Sequence, residues 1–380
     1  MTFDQEGDGT LRRASCPLSM RRPFALGVAW LLGLYLSLVP IDSFAMDPKR
    51  PGQENSLSRA VFAEGRLWLL SDAGELSSIK EGEKKRIALD LPEPALDLCL
   101  RDGHPEVVTG ARQNGSTWTL RKWADSKWAT LAIVPVEKET LVALVCSSET
   151  EILLTTKRLI EVTATKPRSV ELSTRLRRGL VTSVHATKGH LFVGTNAGEW
   201  GGGLQRIERQ NGKVEDIEKN STGELCGGPL NGACDPVNGI APEPWKPDCI
   251  AVAVGLIHFS PHGRIVEVCG NRVQRIYFKA HESQRSALAK SRSRESRDGE
   301  PFETVAFFGL VRIGSQLWAA GSDGVYKIDA GGKASAVPLP KFESIDNVGV
   351  SFELPDVVLV LTSINQRMSI SGMVPMLVPR

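Results

Sequence analysis

The feature that most constrains this chain is a repeat of short apolar runs separated by turn residues. One unit is clear from Ala60 to Leu89. Ala60-Val61-Phe62 is closed by a turn at Glu64-Gly65, and Leu67-Trp68-Leu69-Leu70 ends at Asp72-Ala73-Gly74. Leu76 to Ile79 alternates, Glu81-Gly82 turns again, and Arg86 to Leu89 ends the unit. Each run is too short for a helix and each boundary carries Gly or Asp, so the unit predicts four short antiparallel strands.

The same order recurs. Leu191–Asn196 precedes Leu204–Ile207 and the turn Asn211-Gly212-Lys213; Leu317–Gly321 precedes Gly324–Asp329 and Gly331-Gly332-Lys333. Second strands beginning at Leu67, Val107, Ile152, Leu191, Ile250, Leu317 and Val358 are spaced 40, 45, 39, 59, 67 and 41 residues apart. Strides of roughly 40–50 residues fit propeller blades. The two long intervals contain Asn220–Asp248, rich in Gly, Pro and Cys, and Ala280–Pro301, polar and basic. A small sheet cannot bury both faces alone, so the units must stack around an axis. The expectation is an all-β protein, a β-propeller of about seven four-stranded blades over residues 58–380, with those two segments as loop insertions. Six or eight blades stay open, because the fifth unit lacks a clear first strand. A pair of β-sandwiches is the structural alternative, but it would not require the stride.

Leu191–Asn196 with Leu204–Ile207, and Leu317–Gly321 with Gly324–Ile328, resemble the repeats of bacterial two-component-regulator and WD40-like propellers. The resemblance covers three units and departs from the pattern at Leu191-Phe192, where Leu-Trp is usual. It implies the fold and an exported ectodomain. No kinase or membrane segment follows the repeats, so the signalling role is not expected to carry over.

The N-terminus reads as an export leader. Arg21-Arg22 precede an apolar run, Phe24–Val39, and Ser43-Phe44-Ala45 offers a cleavage site before Met46. The run is shorter than the roughly 20 apolar residues of a spanning helix. The expected organisation is a leader at 1–45, with translation able to start at Met20, and a linker at 46–57. A periplasmic or secreted location follows, with no stable membrane insertion after cleavage. Beyond Cys16 in the leader, six cysteines remain, and an even number suits an oxidising compartment. The pairs expected from their places in the units are Cys226–Cys234, Cys249–Cys269 and Cys99–Cys146. Formal net charge is +2, so bulk electrostatics give no reason to expect a nucleic-acid partner.

In a propeller, second-to-third links and inter-blade links share one end. Both insertions are inter-blade links, and they should join the long second-to-third links Ala197–Gly203 and His258–Gly263 around the fourth and fifth blades. Function on rigid scaffolds concentrates in such loops. The ligand-binding candidates are therefore Asn196, Glu199, Trp200, Trp245, His258 and His262. Each has a plainer role: Trp200 and Trp245 as packing plugs, and the histidines as turn residues. Asp235-Pro236-Val237-Asn238-Gly239 lacks the periodic acids of a calcium loop. His185 on an inner strand and the basic run Lys290–Arg297 read as structural and solvated.

No G-x-S-x-G, H-E-x-x-H, P-loop or dinucleotide loop is present in the sequence. No catalytic residue, metal or cofactor is assigned. The leading expectation is an exported, monomeric, non-catalytic propeller binding a protein or glycan partner through its loop-rich face. A hydrolase or lyase with its site at the channel mouth, and a structural envelope component, are the alternatives.

Overall fold

The computed structural model describes residues 57–380 apart from 113–114, 148, 164–166, 221–225, 258–260, 282–302, 340–347, 355 and 367–368. The leader, most of the linker, His258 and Lys290–Arg297 lie outside the described residues. Seven antiparallel sheets follow in chain order. The first holds β1–β4 (Leu57–Ala63, Arg66–Ser71, Leu76–Lys80, Arg86–Leu89) and the second β5–β8 (Ala95–Arg101, His104–Gly110, Thr117–Ala124, Lys127–Pro135). The third holds β9–β12 (Leu141–Cys146, Glu151–Thr155, Arg158–Val162, Arg168–Glu171) and the fourth β13–β16 (Leu180–Ala186, His190–Asn196, Gly202–Glu208, Val214–Ile217). The fifth holds β17–β20 (Val237–Pro242, Ile250–Leu256, His262–Cys269, Arg272–Tyr277) and the sixth β21–β24 (Phe307–Ile313, Gln316–Gly321, Gly324–Ile328, Ala334–Pro338). The last has three strands, β25–β27 (Val348–Ser351, Val357–Gln366, Ser369–Pro379).

The protein is an all-β propeller, and the expected number of four-stranded blades is corrected to six. In the last unit the residues that would form short third and fourth strands are taken up by one long hairpin, β26 and β27, of 10 and 11 residues.

First strands touch one another around the axis: β1 meets β5, β5 meets β9, β9 meets β13, and so on to β25, which meets both β21 and β1. Apolar clusters fill the junctions between neighbouring sheets. Leu153 on β10 packs toward the second sheet with Trp118 and Leu144, while Ile152 and Leu154 pack toward the fourth with Leu191 and Val193. Alternate side chains thus enter opposite junctions. This is why second strands read as unbroken apolar runs: both faces are buried, each Leu or Ile contributing about 1.5–3 kcal/mol. Leu359 joins Ala60 and Leu69 between the last sheet and the first.

First strands share a register shift near their start, between Leu57/Arg59, Ala95/Asp97, Val181/Ser183, Val237/Gly239 and Phe307/Gly309. The bulged side chains reach the next sheet. Thr182 Oγ1 donates to the Val237 carbonyl, and Asn238 Nδ2 donates to the Phe307 carbonyl at 3.0 Å. The shift explains the unclear first strand of the fifth unit. β17 lies inside the segment Asn220–Asp248 expected to be one insertion, so the loop before it ends at Pro236. Its Val-Asn-Gly start hid it, yet Gly239 is required there, because a Cβ would sit 2.6 Å from the Leu310 backbone nitrogen.

All three expected disulfides are formed, with Cα separations of 5.9 Å for Cys99–Cys146, 5.2 Å for Cys226–Cys234 and 4.5 Å for Cys249–Cys269. Cys99–Cys146 ties the first strands of the second and third sheets.

Candidate functional site

The end at which second strands finish and first strands begin, here the upper end, gathers the elaborated links around the fourth and fifth sheets. A single 3-10 turn, Gly198–Trp200, joins β14 to β15. Asn196 Oδ1 accepts the Gly198 amide at 2.8 Å, and Asn196 Nδ2 donates to Asn238 Oδ1 at 2.8 Å. The turn lies on the loop before β17, where Gly202 N donates to the Gly232 carbonyl at 3.1 Å. The glycines make that approach possible: a Cβ on Gly201 would meet the Ala233 carbonyl carbon at 2.4 Å. His262 Nε2 lies 3.2 Å from the Cys234 carbonyl oxygen, and Thr304 N donates to the Pro261 carbonyl at 2.9 Å. Four links, those before β15, β17, β19 and β21, are therefore joined in one continuous structure.

Two arginines clamp it. Arg264, with a side chain 7% exposed, donates through Nε to the Pro229 carbonyl at 2.7 Å and pairs with buried Asp235. Asp235 also accepts the Asn231 amide at 2.7 Å and faces His262 Nε2 at 3.7 Å. Arg177, in the link between β12 and β13, donates through Nε to Asp216 at 3.0 Å and through Nη1 to the Gly202 carbonyl at 3.2 Å. The hydrogen bond with Asp216 raises the Arg177 pKa and lowers that of Asp216, outweighing the burial of each.

Exposed apolar side chains collect on this frame. Trp200 is 77% exposed, Leu180 at the start of β13 is 67% exposed, and Ile257 after β18 is 39% exposed. Glu199 is exposed beside Trp200. Of the residues expected from sequence, Glu199, Trp200 and His262 are thus brought to one end. Asn196 is there too, but it spends its amide groups on holding the turn. Trp245 is not: it lies in the β17–β18 link at the lower end, packs on the junction of the fifth and sixth sheets, and donates through Nε1 to the Ser315 carbonyl at 2.7 Å. Leu180, Arg177 and Arg264 were missed, and Asp235 was weighed only as part of a calcium loop. A leucine opening a strand reads as core, and an Asp-Arg pair 29 residues apart has no local signature.

Two clusters of potential metal ligands occur among the described residues, Cys99-Glu106-Cys146 and Glu243-Glu267-Cys269. In both, every sulfur is held in a disulfide and offers no thiolate. A cavity of about 360 Å³ lies against β22–β24, lined by Gln316, Lys327, Asp329 and Lys333, and it does not reach the loop-rich end.

Glu243 and Glu267, 4% and 1% exposed, form a carboxyl pair at the lower end. Burial first, then the hydrogen bond to Glu267 and the charge of Glu267, push Glu243 up to about 7. Burial also raises Glu267, but hydrogen bonds from Lys246 and Glu243 outweigh it and hold it below its ordinary value. The folded protein therefore keeps one proton on the pair that the unfolded chain releases at about pH 4.5. Because the folded pKa of Glu243 is raised, its stabilisation is full below about pH 4.5 and is lost as pH rises to about 7. Glu243→Gln keeps the hydrogen bond and removes the titration. It is expected to raise stability by about 1–3 kcal/mol at pH 8 and to leave it unchanged at pH 4. Urea unfolding midpoints at the two pH values check this; an equal effect at both contradicts it.

Fold and site together define a β-propeller with one loop-built, disulfide-stapled end. No protein-family model matches the chain, and no curated protein matches it. Solved structures do. YCF48 from Cyanidioschyzon merolae matches at a TM-score of 0.50 and 12% identity, over 87% of this chain and 97% of that one. The extracellular domain of the one-component system BT4673 from B. thetaiotaomicron matches at 0.47 and 14%, over 82% of this chain and 38% of that one. Sqt1 from Saccharomyces cerevisiae matches at 0.47 and 12%, over 84% of each. The chain spans well under half of the BT4673 ectodomain.

Proposed function

We propose that this chain is an exported, non-catalytic β-propeller that binds a protein partner through the upper end of its fourth and fifth sheets. The observation that carries this reading is the joining of four elaborated links into one frame that presents Trp200, Leu180 and Ile257 to solvent. Exposed apolar groups gathered on a rigid rim are the mark of an interaction surface. Exposed aliphatic side chains at the same end as the tryptophan favour protein over glycan, because sugars are bound on aromatic faces with many hydrogen bonds. Three disulfides support an oxidising compartment. Among the described residues no helix is long and apolar enough to cross a membrane. We also read the three-stranded sheet as an incomplete seventh blade, since β25 sits between β21 and β1.

The test is site-specific photocrosslinking in the protein's native compartment. Benzoylphenylalanine replacing Trp200 is expected to yield a discrete crosslinked protein, whereas the same probe replacing Asn271, in the β19–β20 turn at the lower end, yields none. Crosslinks from position 271 and none from 200 would overturn the assignment of the face.

A further inference from the structure

Resting on that reading of the face, we infer that its partner is an acidic protein segment carrying an aromatic or aliphatic anchor. Two independent features of the upper end specify this chemistry.

The first is the anchor contact. The residues matching Leu180 just before the shared register shift are Pro94, Thr140, Pro236 and Ala306, whose carbonyls accept amides at or just past the ends of their second strands. At that position a large apolar side chain stands only in the fourth sheet among these five. It pairs across the strands with Asn196, the residue that caps the Trp200 turn. Leu180 is more exposed than the other large apolar side chains described, except Trp200. Leu180 stands in that pair, Trp200 in the turn that follows Asn196, and both are exposed. Both offer apolar surface at the upper end to an incoming apolar group, and aromatic contacts of this kind carry much of the energy of an interface.

The second is charge. Arg175 and Arg178, in the link leading into Leu180, and Lys219, in the link leading toward β17, are exposed. Their side chains make no hydrogen bond or ion pair among the described residues. Among the described residues, the acids of β16 and of the two links that carry these cations are already engaged: Glu215 by Arg206, Asp216 and Glu218 by Arg177, and Asp235 by Arg264. Glu199 also has an interaction of its own. Among the described residues of these two links the charge left for a partner is positive, although the chain as a whole is close to neutral. Charges at a rim raise encounter rates and exclude like-charged competitors. A basic segment would be repelled, and a neutral oligosaccharide would leave the cations unused.

Selection from a displayed library of random 12-residue peptides tests this. Against the wild-type protein, the enriched peptides are expected to be net negative and to contain Trp, Phe or Leu. Arg175→Ser/Arg178→Ser/Lys219→Ser is expected to weaken a selected peptide about 10-fold at low salt, with the difference shrinking as salt rises. Trp200→Ala is expected to weaken it about 30-fold at any salt. Because these side chains are exposed, unchanged thermal unfolding checks that each variant is folded. Enrichment of neutral or basic peptides, acidic peptides indifferent to the triple substitution, or tighter binding of a neutral oligosaccharide overturns the inference. So does failure to enrich any peptide. If photocrosslinking from position 200 still captures a protein, the face stands and only the partner's chemistry is wrong; if that fails too, the face itself is wrong.

Discussion

Arg264→Met is expected to destabilise the protein by about 3–5 kcal/mol, the range for removing one member of a buried ion pair. The substitution strips Asp235, 1% exposed, of its guanidinium and removes the Arg264 hydrogen bonds to the carbonyls of Gly228 and Pro229. What remains on Asp235 is the Asn231 amide and His262. The loss falls on the loop before β17, so protease cleavage within 218–236 should rise along with the drop in the urea midpoint. Arg264→Met combined with Asp235→Leu should be less destabilised than Arg264→Met alone, since a buried pair replaced by apolar groups often costs little. A double variant as weak as the sum of the single ones would show that the arginine acts through its carbonyl contacts and not through the pair.

The second large effect lies at the axis. Asp97 follows the register shift of β5 and is 7% exposed. It accepts Arg59 Nε from the first sheet at 3.0 Å and the Leu144 amide from the third at 2.7 Å. One carboxylate thus joins three consecutive sheets. Asp97→Ala is expected to cost about 2–4 kcal/mol, because it orphans a buried amide and an ion-pair partner together. The protein supplies its own control. At the matching place in the fourth sheet Ser183 Oγ accepts the Ile240 amide at 3.0 Å, doing the amide half of the work with a hydroxyl. Asp97→Ser should therefore recover part of the loss, and unfolding midpoints in urea measure it. Equal loss in the Ala and Ser variants would mean that the Arg59 pair, and not the amide, dominates.

Much of the architecture was legible in the residues. The seven expected second-strand starts all fall within the second strands of the seven sheets, because a strand buried on both faces must be continuously apolar. The disulfides were legible because a repeat fixes which strand ends come near each other. β17 was not, since its bulge places Asn and Gly where a strand pattern wants apolar residues. The last sheet's missing strand was not either, as a long hairpin and two short ones have similar local patterns.

For the candidate site, the sequence marked the links by their length and their Gly, Pro and Cys content, and so brought out Trp200 and His262. It also brought out Trp245, wrongly grouped with them, because composition does not say at which end of a sheet a loop lies. That is decided by strand parity, which the hidden β17 had obscured.

By itself, then, the order of apolar and turn residues determined a repeating antiparallel unit and its stride, since these follow from short-range periodicity and backbone geometry. Only the tertiary structure decided that Leu180 is surface and not core, that Asp235 meets Arg264, and that Arg175 and Arg178 meet no acid among the described residues. Those are relations between sheets, and no local pattern encodes which side chain will stand across a junction.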